Sequence, residues 1–303
     1  MVATVIAPTR SAKRPPLADL LSGVIVEARD LAATRAFYEP IFRDVPGKWQ
    51  EERNRLLYQA GPQSIEFVKR PHPRSFPDSG NHQAFRVRPS RLRGLADDLE
   101  RAGHEVNWWH EDNPPEREVT AYVLDPDGNR VQLVAADRLD LLLDHIALEI
   151  NAFDYCEHVY RKVLGGQVSY YHGWRVEDEK DAQAWGRGDD PVLPWCRRDN
   201  PGWNDFIRFK TNDRGLRVPR PATQVFIGFG PTFLGLISAS KVRQELPEEV
   251  MRGLPRLVFH SSRSAEETFA HVAATLPIRW EKEGTTAYLR DPDGNFAELR
   301  CDS

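Results

Sequence analysis

Apolar and polar positions follow the same order of spacings four times along the chain. Each repeat opens with a short strand-like run and continues into a helix-like run of roughly 10 to 15 residues. In the second repeat, Leu92, Leu95 and Leu99 fall on one face of a helix. The four segments are Gly23 to Phe42, His82 to Ala102, His145 to Leu164 and Arg256 to Leu276. Since strand-like runs follow each helix, the pattern predicts four units, each with one strand, one helix and three further strands.

One phrase of the sequence occurs twice and marks a turn between two strands. Residues 121–129 are Ala-Tyr-Val-Leu-Asp-Pro-Asp-Gly-Asn, and residues 287–295 are Ala-Tyr-Leu-Arg-Asp-Pro-Asp-Gly-Asn. Proline presets one backbone angle, glycine supplies a positive φ, and Asp and Asn side chains bond the local backbone, which together favour a tight turn. The strand after each turn alternates in polarity, and this makes Gln132 and Glu298 equivalent.

A second pair of similar segments lies upstream of these turns. Residues 61–67 and residues 230–236 both begin with Gly-Pro, and their alignment makes Glu66 equivalent to Gly235. We therefore expect an α+β fold in which four βαβββ units pair into two modules. Each module is then a cupped mixed sheet with its helices on the outside.

The repeats and the segments between them predict the domain organisation. Residues 1–19 form a polar N-terminal tail, residues 20–137 the first module and residues 140–303 the second, with two consecutive units in each module. An insertion at residues 172–222 interrupts the second module and is long enough to serve as a lid or a pocket wall. Four tryptophans lie within it: Trp174, Trp185, Trp195 and Trp203.

Composition and charge narrow the classes of partner. The chain has 303 residues and a formal net charge of -4, which is too near balance for binding to nucleic acid or an acidic membrane surface. The cysteines Cys156, Cys196 and Cys301 are far apart and predict neither a disulfide framework nor a zinc site. No apolar stretch reaches the roughly 20 residues that span a bilayer. We expect a cytoplasmic protein that binds a small molecule, either as a monomer or as a homodimer.

The paired Asp-Pro-Asp-Gly-Asn turns, the Gln132 or Glu298 that follows them, and the strand openings at His82 and His145 point to a family. In these features the chain resembles the vicinal oxygen chelate superfamily, which includes glyoxalase I, bleomycin-resistance proteins and type I extradiol ring-cleaving dioxygenases. The resemblance covers nearly all of residues 20–303. Members use four strand positions that face the hollow of a cupped sheet to bind a divalent metal, which activates a substrate through two oxygens.

The resemblance implies four candidate positions in each module. They are Gly23, Glu66, His82 and Gln132 in the first module, and His145, Gly235, Arg256 and Glu298 in the second. The favoured metal site lies in the second module, with His145 and Glu298 as ligands and His260 or water as the third. His260 lies four residues beyond Arg256, about 13 Å along a strand, so only a bulge would bring it to the metal. The less favoured site lies in the first module, with Glu66, His82 and Gln132.

Two residues of the second module have roles implied by the resemblance. Tyr288 stands at the extradiol spacing before Glu298, and it would donate a hydrogen bond to the substrate oxygens. Arg256 stands where extradiol enzymes have a second histidine. It would either pair with Glu298 or bind a substrate carboxylate with both of its terminal nitrogens.

The resemblance implies three functions, and the sequence leaves them open. The favoured one is a metal-dependent oxidoreductase similar to extradiol dioxygenases, which would use Fe(II) or Mn(II) to act on a small catechol-like aromatic. The first alternative is a metal-free small-molecule binding protein of the bleomycin-resistance type. The second is a glyoxalase-like lyase or isomerase, in which Glu66 is the candidate carboxylate for moving a proton.

Overall fold

Each predicted unit folds as a strand, a helix and three further strands. The computed structural model describes residues 16–74, 80–108, 120–150, 153–172, 207–211, 217–221, 224–238, 252–275 and 280–302. The first unit consists of β1 (Leu20–Ala28), α1 (Leu31–Phe42), β2 (Lys48–Glu52), β3 (Arg55–Ala60) and β4 (Gln63–Lys69). The second consists of β5 (His82–Val87), α2 (Pro89–Arg101), β6 (Val106–Trp108), β7 (Thr120–Leu124) and β8 (Arg130–Ala135).

The third and fourth units repeat this order, and the third contains an inserted hairpin. The third unit consists of β9 (Leu143–Ile150), α3 (Phe153–His158) with a π-helical turn (Val159–Val163), β10 (Gln167–His172), β13 (Gln224–Phe229) and β14 (Thr232–Ser238). The hairpin is formed by β11 (Ile207–Thr211) and β12 (Arg217–Pro221). The fourth unit consists of β15 (Arg256–Ser264), α4 (Ala265–Thr275), β16 (Trp280–Glu283), β17 (Thr286–Arg290) and β18 (Phe296–Asp302). The predicted α+β fold of four βαβββ units is confirmed.

The repeated turn has the same geometry in both copies, as its sequence predicts. Asn129 donates its backbone N–H to the carboxylate of Asp125 at 2.8 Å, and Asn295 donates to Asp291 at the same distance. The turn glycines have φ values of 84° and 85°, which fall in the left-handed region that glycine enters without steric cost. The turn therefore fixes the strand after it, and with it the positions of Gln132 and Glu298.

The strands form two eight-stranded mixed sheets that combine units from opposite halves of the chain. One sheet, the terminal sheet, has the order β16-β17-β18-β15-β1-β4-β3-β2 and joins the fourth unit to the first. The other, the central sheet, has the order β10-β13-β14-β9-β5-β8-β7-β6 and joins the third unit to the second. In each sheet the first strands of the two units pair antiparallel, β1 with β15 and β5 with β9.

This pairing corrects one part of the sequence prediction. Residues 20–137 and residues 140–303 were each expected to form a sheet of their own, but each half contributes one unit to each sheet. The repeat pattern defines the strands within a unit and does not define which other unit pairs with its first strand. Both pairings satisfy the backbone hydrogen bonds of that strand, so the pattern alone could not choose between them.

Side-chain packing, in contrast, joins consecutive units. Tyr38 on α1 of the first unit donates a hydrogen bond at 3.0 Å to Asp125 in the turn of the second unit. Tyr160 of the third unit donates at the same distance to Asp291 in the turn of the fourth. The ring of Tyr38 also packs edge-on against Phe85 of β5, at 5.8 Å between centroids. Hydrogen-bonded sheets thus hold the two halves together, and the buried core holds each half together.

The strand registers make the two sheets equivalent residue by residue. Val24 lies opposite Leu257 at the centre of the terminal sheet, and Ile146 lies opposite Gln83 at the centre of the central sheet. This register places Gly23 at the position of His145 and Arg256 at the position of His82. The chain therefore contains two cups on the same framework, with different side chains on their floors.

The start of the described chain packs against the third unit. At the end of the predicted tail, Leu17 and Ala18 are buried and donate their backbone N–H groups to Leu164 at 3.0 and 2.9 Å. The four tryptophans of the predicted insertion lie outside the described residues, and so does Cys196. Cys156 and Cys301 are buried free thiols. Among the described residues, no helix has the length and apolar character needed to cross a membrane.

Candidate functional site

The floor of the central cup brings His82, Gln132 and His145 together around Ala84. Ala84 on β5 lies opposite His145 of β9 on one side and opposite Gln132 of β8 on the other. His82 is two residues before Ala84 and so faces the same side of the sheet. The neighbouring Phe85 faces the helix layer, and this directs Ala84 and His82 into the cup. A small residue at the centre leaves space between the three polar side chains.

The two histidines face each other through their Nε2 atoms, because the Nδ1 atom of each ring is engaged by another group. The Nε2 atoms of His82 and His145 are 3.1 Å apart, and both residues are buried. Nδ1 of His82 lies 2.7 Å from the carbonyl oxygen of Gly80, and Nδ1 of His145 lies 2.9 Å from the carboxylate of Asp144. Since both oxygens only accept, both Nδ1 atoms carry protons. The two Nε2 atoms then face each other, an arrangement that a shared cation or a proton between them stabilises.

Gln132 contributes a third acceptor at the same place. Its Nε2 donates to the hydroxyl of Thr120 at 2.8 Å, and that hydroxyl donates to the carbonyl of Leu133 at 3.0 Å. These two bonds fix the orientation of the amide and leave Oε1 as the free end. Oε1 is buried and accepts no hydrogen bond of acceptable geometry. The Gln132 side chain nevertheless acts to raise the pKa of His82, against the larger effect of burial. A buried acceptor without a donor lowers the stability of the fold. A cation bound to this oxygen would remove that cost.

Burial keeps the imidazole of His82 in the form that binds metal. Burial, and after it the charge of His145, lower the pKa of His82 to about 3, so this ring is neutral near pH 7. Burial acts to raise the pKa of Asp144, but the hydrogen bond from His145 and the charges of His145 and Arg86 outweigh it, and the pKa is lowered. The Arg86 guanidinium lies 3.3 Å from this carboxylate. A carboxylate held in this way orients its histidine and increases its basicity.

Aromatic side chains form two sides of the central cup. The fourth candidate position is Gly235, and Phe226 covers it, since a Cβ there would lie 3.2 Å from that ring. Phe226 also packs edge-on against His145, with centroids 5.3 Å apart. Tyr122 lies directly opposite Gln132 on β7, and its ring is 5.3 Å from His82. Burial raises the pKa of Tyr122 to about 12, so its hydroxyl keeps its proton and can donate a hydrogen bond.

The floor of the terminal cup is occupied by ion pairs. Glu298 is almost fully buried, 2.9 Å from Arg256, and also paired with Arg300. Glu66 accepts a hydrogen bond from Arg55 at 2.7 Å. At Gly23, a Cβ would lie 2.4 Å from a backbone carbonyl of β4, so no side chain fits. Glu66 and Glu298 therefore both have guanidinium partners.

The favoured metal set of the sequence analysis is not brought together. His145 lies in the central sheet and Glu298 in the terminal sheet. His260 is about two-fifths exposed and lies 3.0 Å from Asp302, away from both cup floors. The pairing of units from opposite halves is the physical reason, since it exchanges the last two of the four candidates between the modules.

The less favoured set is split in the same way. His82 and Gln132 share the central cup, as the sequence predicted for these two, but Glu66 lies in the terminal sheet. Of the other predicted residues, Tyr288 and Arg256 also lie in the terminal cup, where the Arg256 guanidinium is 5.3 Å from the Tyr288 ring. They cannot serve a metal held by His145.

Tyr122 belongs to the site although it is not among the residues predicted from the sequence. The repeated phrase made it equivalent to Tyr288, which was singled out because it precedes a carboxylate. The same alignment would have identified Tyr122 once His82 and His145 were placed in one cup. Its position opposite Gln132 follows directly from the turn between β7 and β8.

The donor set of the central cup fits a divalent cation. Within the described residues, no three His, Cys, Asp or Glu side chains come together as a metal-binding group, so the third ligand would be the amide oxygen of Gln132. Two imidazole nitrogens and one amide oxygen suit borderline ions such as Fe(II), Mn(II) and Zn(II). All three atoms are held by bonds on their far sides, which reduces the entropy lost when an ion binds.

Solved structures from a plant and from a bacterium have the same fold as this chain. Glyoxalase I from Zea mays is 15% identical, with a TM-score of 0.57 and coverage of 92% of this chain and 91% of that chain. A Bacillus subtilis protein proposed to be a dioxygenase is 9% identical, with a TM-score of 0.56 and coverage of 95% and 86%. In both cases the likeness extends over nearly the whole of this chain and shows a shared fold. No protein-family model and no curated protein matches the sequence.

Proposed function

We propose that this chain is a metal-dependent enzyme of the dioxygenase type, with Fe(II) or Mn(II) held in the central cup by His82, Gln132 and His145. Its substrate is a small catechol-like aromatic that binds through two adjacent oxygens. The observation that supports the proposal most is the approach of the two Nε2 atoms to 3.1 Å while both Nδ1 atoms are engaged with acceptors. Two ligands of one ion, each about 2.1 Å from it and at right angles, are separated by about this distance.

The metal would supply Lewis-acid activation of the two substrate oxygens and coordination positions for substrate and dioxygen. Three protein ligands on one face leave such positions open, and Gly235 adds no fourth ligand. Tyr122 is placed to donate its hydroxyl proton in a hydrogen bond to a substrate oxygen, because its ring lies against His82. Phe226 offers an apolar surface for the substrate ring beside His145.

The carboxylates near the cup favour oxygenation over a glyoxalase-like isomerisation. Moving a proton between two carbons needs a base near the metal. Among the described residues of the central cup, Asp144 is engaged by His145 and Arg86, and Glu149 accepts the N–H of Gly80 at 3.0 Å. Glu66, the base considered from sequence, belongs to the other sheet. In the ring cleavage of a catechol, the protons to be removed are those of its two hydroxyls, which a bound ion would make more acidic and which can pass to water. No base is needed to carry a proton from one carbon to another.

Metal analysis of protein purified without chelator or histidine tag tests the proposal. After anaerobic loading with Fe(II) or Mn(II), we expect close to one equivalent in the wild-type protein. His82→Ala and His145→Ala should each lose it, because each removes one of two imidazole ligands. His260→Ala is the matched control, since this histidine is half-exposed on the terminal sheet. Retention of the ion by both cup variants contradicts the proposal.

Activity is tested on the iron-loaded protein by dioxygen uptake with a panel of substituted catechols. We expect uptake with wild type and with His260→Ala, and none with His145→Ala. Tyr122→Phe should bind catechols and turn them over slowly, since it loses a hydrogen-bond donor and keeps the ring. Tight binding of an aromatic ligand by metal-free protein, with no metal uptake, would instead establish the small-molecule binding alternative.

A further inference from the structure

A buried glutamate near the end of β9 holds the two residues that precede His82. Glu149 lies two positions beyond Ala147, which is the partner of His82 in the antiparallel pairing of β5 and β9. Its Oε2 accepts the backbone N–H of Gly80 at 3.0 Å, and its own backbone N–H donates to Oδ1 of Asn81 at 2.6 Å. These two bonds continue the contact between the strands beyond their last backbone pair.

The same two bonds fix the backbone group that orients the His82 ring. Nδ1 of His82 lies 2.7 Å from the carbonyl oxygen of Gly80, and the N–H of the same glycine is bound by Glu149. At the other end of the ring, Nε2 lies 3.1 Å from Nε2 of His145. A displacement of Gly80 would therefore turn the ring and move Nε2 away from the place where it faces His145.

Carboxylates of β9 thus act on both imidazoles of the proposed metal site, by different routes. Asp144 contacts Nδ1 of His145 directly, at 2.9 Å. Glu149 acts on His82 through Gly80, which precedes the first residue of β5 and lies outside the backbone pairing. The side chain of Glu149 takes the place of the strand neighbour that would otherwise bind the Gly80 N–H.

The terminal sheet shows that the framework does not require this use of the position. The residue equivalent to Glu149 is Glu27, and both are buried. Among the described residues, the partner of the Glu27 carboxylate is Arg74, which donates its backbone N–H at 2.6 Å and pairs through its guanidinium at 3.0 Å. Glu27 therefore holds the connection after β4, whereas Glu149 holds the start of the strand that carries His82.

We propose that Glu149 is a positioning residue of the metal site, which holds the Gly80 backbone so that Nε2 of His82 faces His145. The inference rests on the proposed function, because the two Nε2 atoms are assigned there as metal ligands. The contact with Gly80 requires an acceptor oxygen on the side chain. Glutamine offers such an oxygen and alanine does not.

The affinity for Mn(II), measured by equilibrium dialysis, tests the inference. Glu149→Ala should weaken Mn(II) binding by a factor of about 10 to 100, the usual effect of removing a group that orients a metal ligand. Glu149→Gln should restore most of the affinity, since its amide oxygen can still accept the N–H of Gly80. Glu27→Ala is the matched control, because it removes a buried carboxylate from the equivalent position of the other sheet. It should leave the affinity unchanged.

NMR of the ring nitrogens in metal-free protein with isotope-labelled histidine follows His82 itself. The wild type should show His82 in one tautomer, with its proton on Nδ1, and the loss of signals in His82→Gln identifies them. In Glu149→Ala, His82 should populate both tautomers, because the acceptor for Nδ1 is no longer held. Glu27→Ala should keep the wild-type signals of His82, although it also removes a buried bond.

The outcomes separate this inference from the proposed function. If Glu149→Ala keeps the affinity and the His82 signals of the wild type, or if Glu27→Ala loses as much affinity, Glu149 is not a positioning residue. Mn(II) binding by the wild type then still supports the metal site. If the wild type does not bind Mn(II), the proposed function fails and takes this inference with it. If Glu149→Ala does not fold, Asn81→Ala replaces it in both measurements, because it removes the second of the two bonds.

Discussion

The central and terminal cups have the same strand order and the same register, but opposite chemistry on their floors. In the central cup, His82, Gln132 and His145 lie around Ala84. In the terminal cup, Val258 occupies the central position and the Arg256 guanidinium lies 2.9 Å from the carboxylate of Glu298. The arginine supplies there the positive charge that an ion would supply in the central cup. The framework therefore fixes the positions of the candidate ligands, and a few side chains determine their chemistry.

The largest effect is expected from breaking the ion pair of the terminal cup. Arg256→Met leaves Glu298 buried with one partner, Arg300, which is about half exposed. Removal of one member of a buried pair costs about 3 kcal/mol of the free energy of unfolding. Urea denaturation measures it. The double variant Arg256→Met with Glu298→Leu should recover most of the loss, and a single variant as stable as wild type would show that the pair is dispensable.

A smaller effect, equal in both halves, is expected at the tyrosines that join consecutive units. Tyr38→Phe and Tyr160→Phe each remove a buried hydrogen bond to a turn carboxylate, at 3.0 Å in both cases. Each should lower the free energy of unfolding by about 2 kcal/mol, the usual size for a bond to a charged group. Unequal losses would mean that the two halves are not equivalent in their cores.

The next effect is expected in the central cup, at Asp144, whose carboxylate is engaged with Nδ1 of His145. Asp144→Asn keeps the shape of the side chain but removes the charge that orients the imidazole, and the affinity for Mn(II) should fall by a factor of about 10 to 100. Asp140→Asn is the matched control, because this carboxylate is exposed and pairs with Arg138. Equilibrium dialysis measures the affinity for Mn(II). Equal affinities of the two variants would show that Asp144 does not contribute to metal binding.

The smallest effect is a pH dependence that only the central cup should produce. The pKa of His82 in the folded protein, about 3, lies below its ordinary value of 6.5. The unfolded chain therefore takes up a proton first, and metal-free protein should lose stability as the pH falls from about 6.5 towards 3. The slope is at most about 1.4 kcal/mol per pH unit. Urea midpoints at pH 7.0 and 5.5 should differ less in His82→Gln, whereas an unchanged difference would assign it to other groups.

The sequence predicted every unit and both repeated turns, but not the composition of the site. Local signals carry the first kind of information: the Asp-Pro-Asp-Gly-Asn turns and the apolar spacing of the helices determine structure within a unit. The choice between pairing the second unit with the first or with the third is made by packing over the whole chain. His82 and His145 were both identified as candidates, yet they were assigned to different cups because that choice is absent from the local pattern.

The exchange of units between the two halves has a consequence for how such a protein diversifies. If the halves were separate, identical chains, every substitution would appear in both cups at once, since a symmetric assembly uses each residue twice. Joining them in one polypeptide removes that constraint while keeping the same contacts. A mutation that abolishes metal or substrate binding in one cup can then be retained because it makes the fold more rigid. The other cup can meanwhile acquire a specific function.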